Sequence, residues 1–455
     1  MSKQDLFDGF KGVSSKQWRM QIASELKTQT FETLRWMSPE GIDVVPFYHA
    51  DQASPLDIPH RSGEWKIAEH IEFTEVNASS DFILKAINGG ADSICLGGSY
   101  TIEQALELLK KYSDYDINWH IQLPCTESGV SKIDQLEDTL RSKLFIQLDP
   151  IGHLAKTGQW HDSPSTELEL IKTRLKTSSS YQNHVSVDMA LYQNAGANTA
   201  EQLALGLSHA NEYLNLIDAT SQLPKFVFEI AVGSDYFFEI AKIRALRWLW
   251  ASLTEGLGWD NLPCHILAKT TERNKTIYDY NSNLLRGTTE CMSAILGGAD
   301  TIVNLPYDFQ YHYPNDFGQR IARNQLLILK NESYFQAVNN PADGSYYLND
   351  LTQKLAQKAL EIFKQIEQKG GFIKCMQSEH IQSMILLSAT KEQQSFDRGD
   401  MVLVGANIFV NEKEQMTSQV ERLRPTAVYD SNPKSIKTSR LAAPLELSRL
   451  DKEKS

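Results

Sequence analysis

The chain has 455 residues, of which 41% are hydrophobic and 22% charged, and its formal net charge is −12. That balance excludes disordered and fibrous classes, and an acidic surface argues against sequence-independent nucleic-acid binding, which rests on Lys and Arg neutralising phosphates. No run approaches the roughly 18 apolar residues of a membrane span; the opening Met-Ser-Lys-Gln-Asp-Leu-Phe-Asp resembles neither a signal nor a transit peptide, so a cytoplasmic protein without membrane or nucleic-acid partners is expected.

Residues 1–62 read as an arm. Lys16–Leu26 is amphipathic, and the apolar run from Ile42 to Tyr48 is interrupted by Pro46. Proline removes a ladder donor, so an extended segment is expected there rather than a central strand. Trp36, Phe47, Tyr48 and Trp65 cluster around this arm. Two readings stand: the arm packs on its own barrel, or its aromatics face another subunit.

From residue 63 to 395 short β-rich runs alternate with segments of helical period, the signature of strand–helix units and a parallel sheet. The predicted strands are Trp65–Phe73, Asp92–Leu96, Ile117–Leu123, Leu144–Leu148, Val185–Leu191, Phe226–Val232, His265–Lys269 and Thr301–Leu305. Helices are predicted over Thr101–Tyr112, Asp235–Leu253, Asp316–Asn331, Tyr346–Gln368 and Ile373–Leu387, with Gly370-Gly371 as a stop. Eight strands with intervening helices point to an α/β fold, a (β/α)8 TIM barrel with an N-terminal extended arm, a C-terminal helical segment and a tail. No Gly-x-Gly-x-x-Gly turn supports a dinucleotide-binding open sheet. Residues 396–455 are polar, contain Pro425, Pro433 and Pro444, and hold one apolar patch, Leu441–Leu447; a connector without a core of its own is expected.

Residue chemistry alone gives no convincing active site. Cys95, Cys125, Cys264, Cys291 and Cys375 are odd in number and far apart, which reads as buried thiols in a reducing compartment. The eleven histidines show no metal-ligand spacing, so no metal site is expected. Gly97-Gly98-Ser99, after a strand and before a helix, offers N–H groups to an anion, but glycine is the ordinary residue at such a turn. In Asp149-Pro150-Ile151-Gly152-His153, Asp149 is a candidate base and His153 a candidate acid at a barrel mouth, although Asp-Pro is also a common turn opener. Asn339 to Ser345 reads as a turn leading into a helix cap.

Several blocks resemble the methylmalonyl-CoA mutase family, in the family's order over most of the chain. They are Leu34-Arg35-Trp36-Met37-Ser38-Pro39-Glu40-Gly41-Ile42 through Pro46-Phe47-Tyr48; Ala195-Gly196-Ala197; Phe237 to Ala245 with Trp248-Leu249-Trp250; Arg320-Ile321-Ala322-Arg323-Asn324; and Asn340-Pro341 through Gly344-Ser345-Tyr346-Tyr347 with Leu351-Thr352. The resemblance implies a (β/α)8 barrel enclosing coenzyme A, with a separate C-terminal domain carrying adenosylcobalamin over its mouth. The implied reaction interconverts methylmalonyl-CoA and succinyl-CoA, in propionate metabolism, through radicals that the protein must position and shield from water.

The chain departs from the catalytic pattern. Where active members carry Tyr-His before the Ala-Gly-Ala block, it has Ala190-Leu191; where they carry Arg-Gln-Tyr in the first strand, it has Ala68-Glu69-His70. The family block after the seventh strand, Arg-Thr-His-x-Gln-Thr in active members, reads His265-Ile266-Leu267-Ala268-Lys269-Thr270, and the cobalt-ligating Asp-x-His-x-x-Gly is absent, so no cobalamin-binding domain is expected. Ala and Leu transfer no protons. The resemblance therefore implies the non-catalytic small (β) subunit of a heterodimer, with no catalytic, cofactor-binding or metal-binding residue of its own, stabilising a large (α) catalytic subunit that holds the adenosylcobalamin. Two alternatives are an active mutase barrel that borrows a separately encoded cobalamin domain, and a CoA-binding or assembly scaffold.

Overall fold

The computed structural model describes residues 9, 12–27, 30–53, 55–176, 181–218, 223–260, 262–424 and 432–454. Pro425 and the first eight residues lie outside that set. Eight parallel strands form the sheet: β1 Lys66–Phe73, β2 Ser93–Gly98, β3 Asn118–Gln122, β4 Leu144–Gln147, β5 Val185–Asp188, β6 Phe226–Val232, β7 Cys264–Thr270 and β8 Thr301–Val303. β8 pairs with β1 as well as β7, so the sheet curls round on itself, with its two ends at β4 and β5. That seam is drawn together partly by a side chain. Asn183 Oδ1 accepts from the Ile146 N–H and its Nδ2 donates to the Ile146 carbonyl, both at 2.7 Å. Backbone bonds from Gln182 to Leu144 and from Ser186 to Leu148 flank it. The result is the (β/α)8 barrel expected from the alternating pattern.

Helices follow each strand because the intervening sequence supplies caps and apolar stripes. Thr101 opens Ile102–Lys111 with a capping box, and Asn198 opens Thr199–Leu214 in the same way. Thr199–Leu214 is buried on nearly every face, since Tyr346–Gln368 covers the side turned away from the barrel. None of the described helices is long and apolar enough to cross a membrane.

Several predicted boundaries change. β5 stops at Asp188, because Asp188 Oδ1 accepts from the Leu191 N–H and the chain turns into a short helix, Ala190–Asn194. Ile373–Leu387 is two helices, Phe372–Gln377 and His380–Asp397, split at Glu379, whose φ of 59° is left-handed. Asp316–Asn331 is α-helical only to Leu327 and then widens into a π turn over Ile328–Glu332.

The arm is extended, with a two-residue antiparallel pair, Trp36–Met37 against Asp43–Val44. Its helix Ser15–Glu25 has no buried residue, and its Trp18 stacks on Phe47 of the arm rather than entering the barrel core. Trp65 belongs to the barrel core, not the arm, and is fully buried. The tail is not coreless. Leu441 and Ala442 pack with Phe396 and Leu403, and Leu450 and Met416 pack with Ile277, Tyr278 and Tyr311. Of the Leu441–Leu447 patch, Leu445 and Leu447 stay exposed.

Candidate functional site: a blind chamber at the barrel mouth

The C-terminal ends of parallel barrel strands are where side chains from different strands converge. Here they enclose a chamber of about 710 Å³, lined by His70, Gln122, Gln147, Asp188, Glu229 and Lys269 from six strands and by Gly97, Asp149, Ala190, Leu191, Phe309 and Arg424 around the rim. Below it the axis is packed. Phe145 lies flat on His120 with ring centroids 4.5 Å apart and meets His265 at 4.4 Å, and Ala68, Cys95, Val227, Leu267 and Val303 fill the rest. The chamber is therefore blind: it opens upward only.

The floor is charged but paired. Lys269 Nζ lies 2.8 Å from Glu229 Oε2. Burial opposes the ammonium, but Cys95 and Glu229 beside it win and raise its pKa, so Lys269 stays protonated and is no nucleophile. His70 sits against Gly97, where a Cβ would overlap the imidazole; the glycine makes room for the ring. Burial first, then Lys269 and Arg424, push His70 down to about 3, so the ring is neutral. Over it, Arg424 stacks on Phe309 at 3.5 Å, and Arg422 and Arg424 both clamp Glu72.

Asp149 is fully satisfied. It caps the helix Pro150–Thr157 through the Gly152 N–H and accepts from His209 Nε2 (2.8 Å), the Tyr213 hydroxyl (2.6 Å) and the Asp188 N–H (2.9 Å). Burial favours the neutral acid, but these donors outweigh it and hold the carboxyl below its usual range. A carboxylate so occupied is a scaffold, which favours the turn reading over the base. His153 stacks on His161 at 3.5 Å on the rim and is pushed down to about 4 by burial and by that neighbour. Gly97-Gly98-Ser99 ends β2, Gly98 at φ 85°, and Ser345 caps Tyr346–Gln368 as expected.

Of the family positions singled out in the sequence, His70, Ala190 and Leu191 meet in the chamber, whereas Ala68 lies lower, in the packed axis. Gln122, Gln147, Asp188 and Glu229 were not anticipated. Gln122, Gln147 and Asp188 are each the last inward-facing residue of their strand, where a polar residue closing an apolar run was the available signal, whereas Glu229 lies inside its run with Ala231 beyond it.

Fold and chamber together define a (β/α)8 barrel with the architecture of an enzyme mouth but with apolar residues at two of its central positions. A family model described as "Methylmalonyl-CoA mutase" matches residues 127–444. The methylmalonyl-CoA mutase small subunit of Porphyromonas gingivalis is 30% identical over all of this chain and 79% of its own length. The small subunit of Propionibacterium freudenreichii subsp. shermanii is 30% identical over 83% of this chain and 65% of its own length, and a methylmalonyl-CoA mutase of Rhizobium meliloti is 26% identical over 90% and 68%. The chain belongs to the methylmalonyl-CoA mutase family.

Proposed function

We propose that this chain is the non-catalytic small subunit of a heterodimeric, cytoplasmic methylmalonyl-CoA mutase, and that it stabilises a large subunit which carries adenosylcobalamin and performs the rearrangement. The observation that carries this reading is the packed axis. A mutase barrel must enclose coenzyme A, and His120, Phe145 and His265 occupy that space here. The mouth supports the same reading: Ala190 and Leu191 can neither move a proton nor hold a carboxylate. Arg422 and Arg424, locked on Glu72, lie over part of this rim, which supports assigning the adenosylcobalamin to the large subunit.

Two measurements test the proposal. Co-expressed with a cobalamin-binding large subunit, the chain is expected to co-elute as a one-to-one complex through an obligate interface, of the kind that buries over about 2,000 Å². A stable monomer that never co-elutes overturns the subunit assignment. Calorimetry of the isolated chain with coenzyme A is expected to show no heat of binding; saturable heat favours the scaffold reading instead.

A further inference from the structure

The chamber encloses about 710 Å³ although the groups expected for mutase chemistry are gone, and its hydrogen bonding is incomplete at three places. Of the strand carboxylates that line the chamber, Asp188 has no ion pair, although Lys269 still acts on it electrostatically. Lys269 holds Glu229, Arg422 and Arg424 hold Glu72, and Asp149 takes four donors. Asp188 accepts only from the Leu191 N–H, through Oδ1 at 3.1 Å, and its Oδ2 has no donor among the described residues. Glu229 stands next to it in register, adding a second carboxylate to the same wall. Across the floor, the enclosed Gln147 Nε2 and His70 Nδ1 also lack partners. A neutral His70 offers a lone pair to an incoming N–H or O–H. Buried polar groups left unmet cost free energy, so Gln147 Nε2 and His70 Nδ1, in one chamber with the open Asp188 Oδ2, mark a place where a ligand completes the set.

We propose that the chamber is a binding site for a compact ligand with a protonated amine seated on Asp188 and a second polar group reaching His70 and Gln147. The blind floor excludes anything that must thread the axis. The carboxylate of Asp188 disfavours a carboxylate or phosphate at that position. The inference requires no partner chain, and it stands or falls independently of the subunit assignment.

The test is calorimetry on the full chain near neutral pH with 4-amino-1-butanol, whose hydroxyl can donate to His70 Nδ1 and accept from Gln147 Nε2, and with 1,4-butanediol and succinate as the neutral and anionic counterparts of similar length. Saturable one-to-one binding of the amino alcohol, absent for the other two, is expected. Asp188→Asn keeps an oxygen for the Leu191 N–H and is expected to weaken amino-alcohol binding by about tenfold or more. No saturable amino-alcohol binding, equal binding of the diol or succinate, or undiminished binding by a folded Asp188→Asn variant overturns the proposal. The two control solutes keep the test decisive even where that substitution prevents folding.

Discussion

The His70 ring lies between Gly97 and Phe309, with Lys269 and Arg424 near enough to oppose its charge. Its folded value of about 3 lies below the ordinary 6.5. Above pH 6.5 both folded and unfolded chains hold a neutral ring, and the full stability is present. As pH falls from 6.5 towards 3, the unfolded chain takes up a proton that the native ring refuses, so stability is lost. By about pH 5 the loss attributable to this group is about 2 kcal/mol. His120, His153 and His265 are held down in the same sense, so the parent protein loses more than that. The comparison that isolates His70 is the change in urea midpoint between neutral pH and pH 5 for the parent and for His70→Gln; the variant is expected to show the shallower fall. Gly97→Ala is expected to destabilise by about 1–3 kcal/mol through overlap with the ring. In a His70→Ala background most of that cost is expected to disappear, because the obstructing atoms are gone; an additive double variant contradicts the packing account. The pairing of Gly97 with His70 was not legible in the sequence, where the glycine reads as a turn residue. Asp149 was legible as turn chemistry, since Asp-Pro announces a helix cap locally. Glu229 was not, because it lies inside Phe226–Val232, a strand buried on both faces with no polar–apolar alternation to mark which side faces the axis.

Strands were easy to find and their ends were not. Most of the eight runs are apolar and bounded by a helical segment, and that local contrast survives into the fold. Ends are set by single hydrogen bonds, such as Asp188 to the Leu191 N–H or the left-handed backbone at Glu379, which composition does not announce. The count of eight strands announced the barrel but not how its seam is held, because that depends on Asn183, a residue outside any strand. Both backbone groups of Ile146 are buried and take their partner from this one amide. Removing it leaves a donor and an acceptor unmet, each costing about 1–3 kcal/mol. Asn183→Ala is therefore expected to lower stability by about 2–4 kcal/mol, read from the denaturant midpoint. Faster exchange of the Ile146 amide relative to Ile121 in neighbouring β3 would locate the damage at the seam. A loss below about 1 kcal/mol means that the seam is held by the flanking backbone bonds alone.

At the scale of the molecule, the arm is the part that its own fold does not finish. Trp36 is 48% exposed although it touches Phe238 edge-on, and Phe47 is 41% exposed although Trp18 stacks on it at 4.2 Å. Phe237, 46% exposed, continues this surface onto the helix Tyr236–Gly256, and Tyr48 and Phe237 both meet Tyr347 on the helix beyond. Scattered exposed apolar residues need no explanation, but a connected aromatic surface on a single chain marks a contact site. Aromatics at the centre of an interface carry a disproportionate share of its energy. If the large subunit covers this surface, Trp36→Ala removes a half-exposed side chain from the free chain and a buried one from the complex. The melting temperature of the isolated chain is then expected to change little, whereas the dissociation constant for the large subunit rises by about thirtyfold, the equivalent of a 2 kcal/mol contact. Surface plasmon resonance on the matched pair reads the second quantity, and thermal unfolding of the chain alone reads the first. Unchanged affinity places the interface elsewhere on the barrel. A large loss of melting temperature means instead that the arm's aromatics serve this chain's own core, the other reading that the sequence left open.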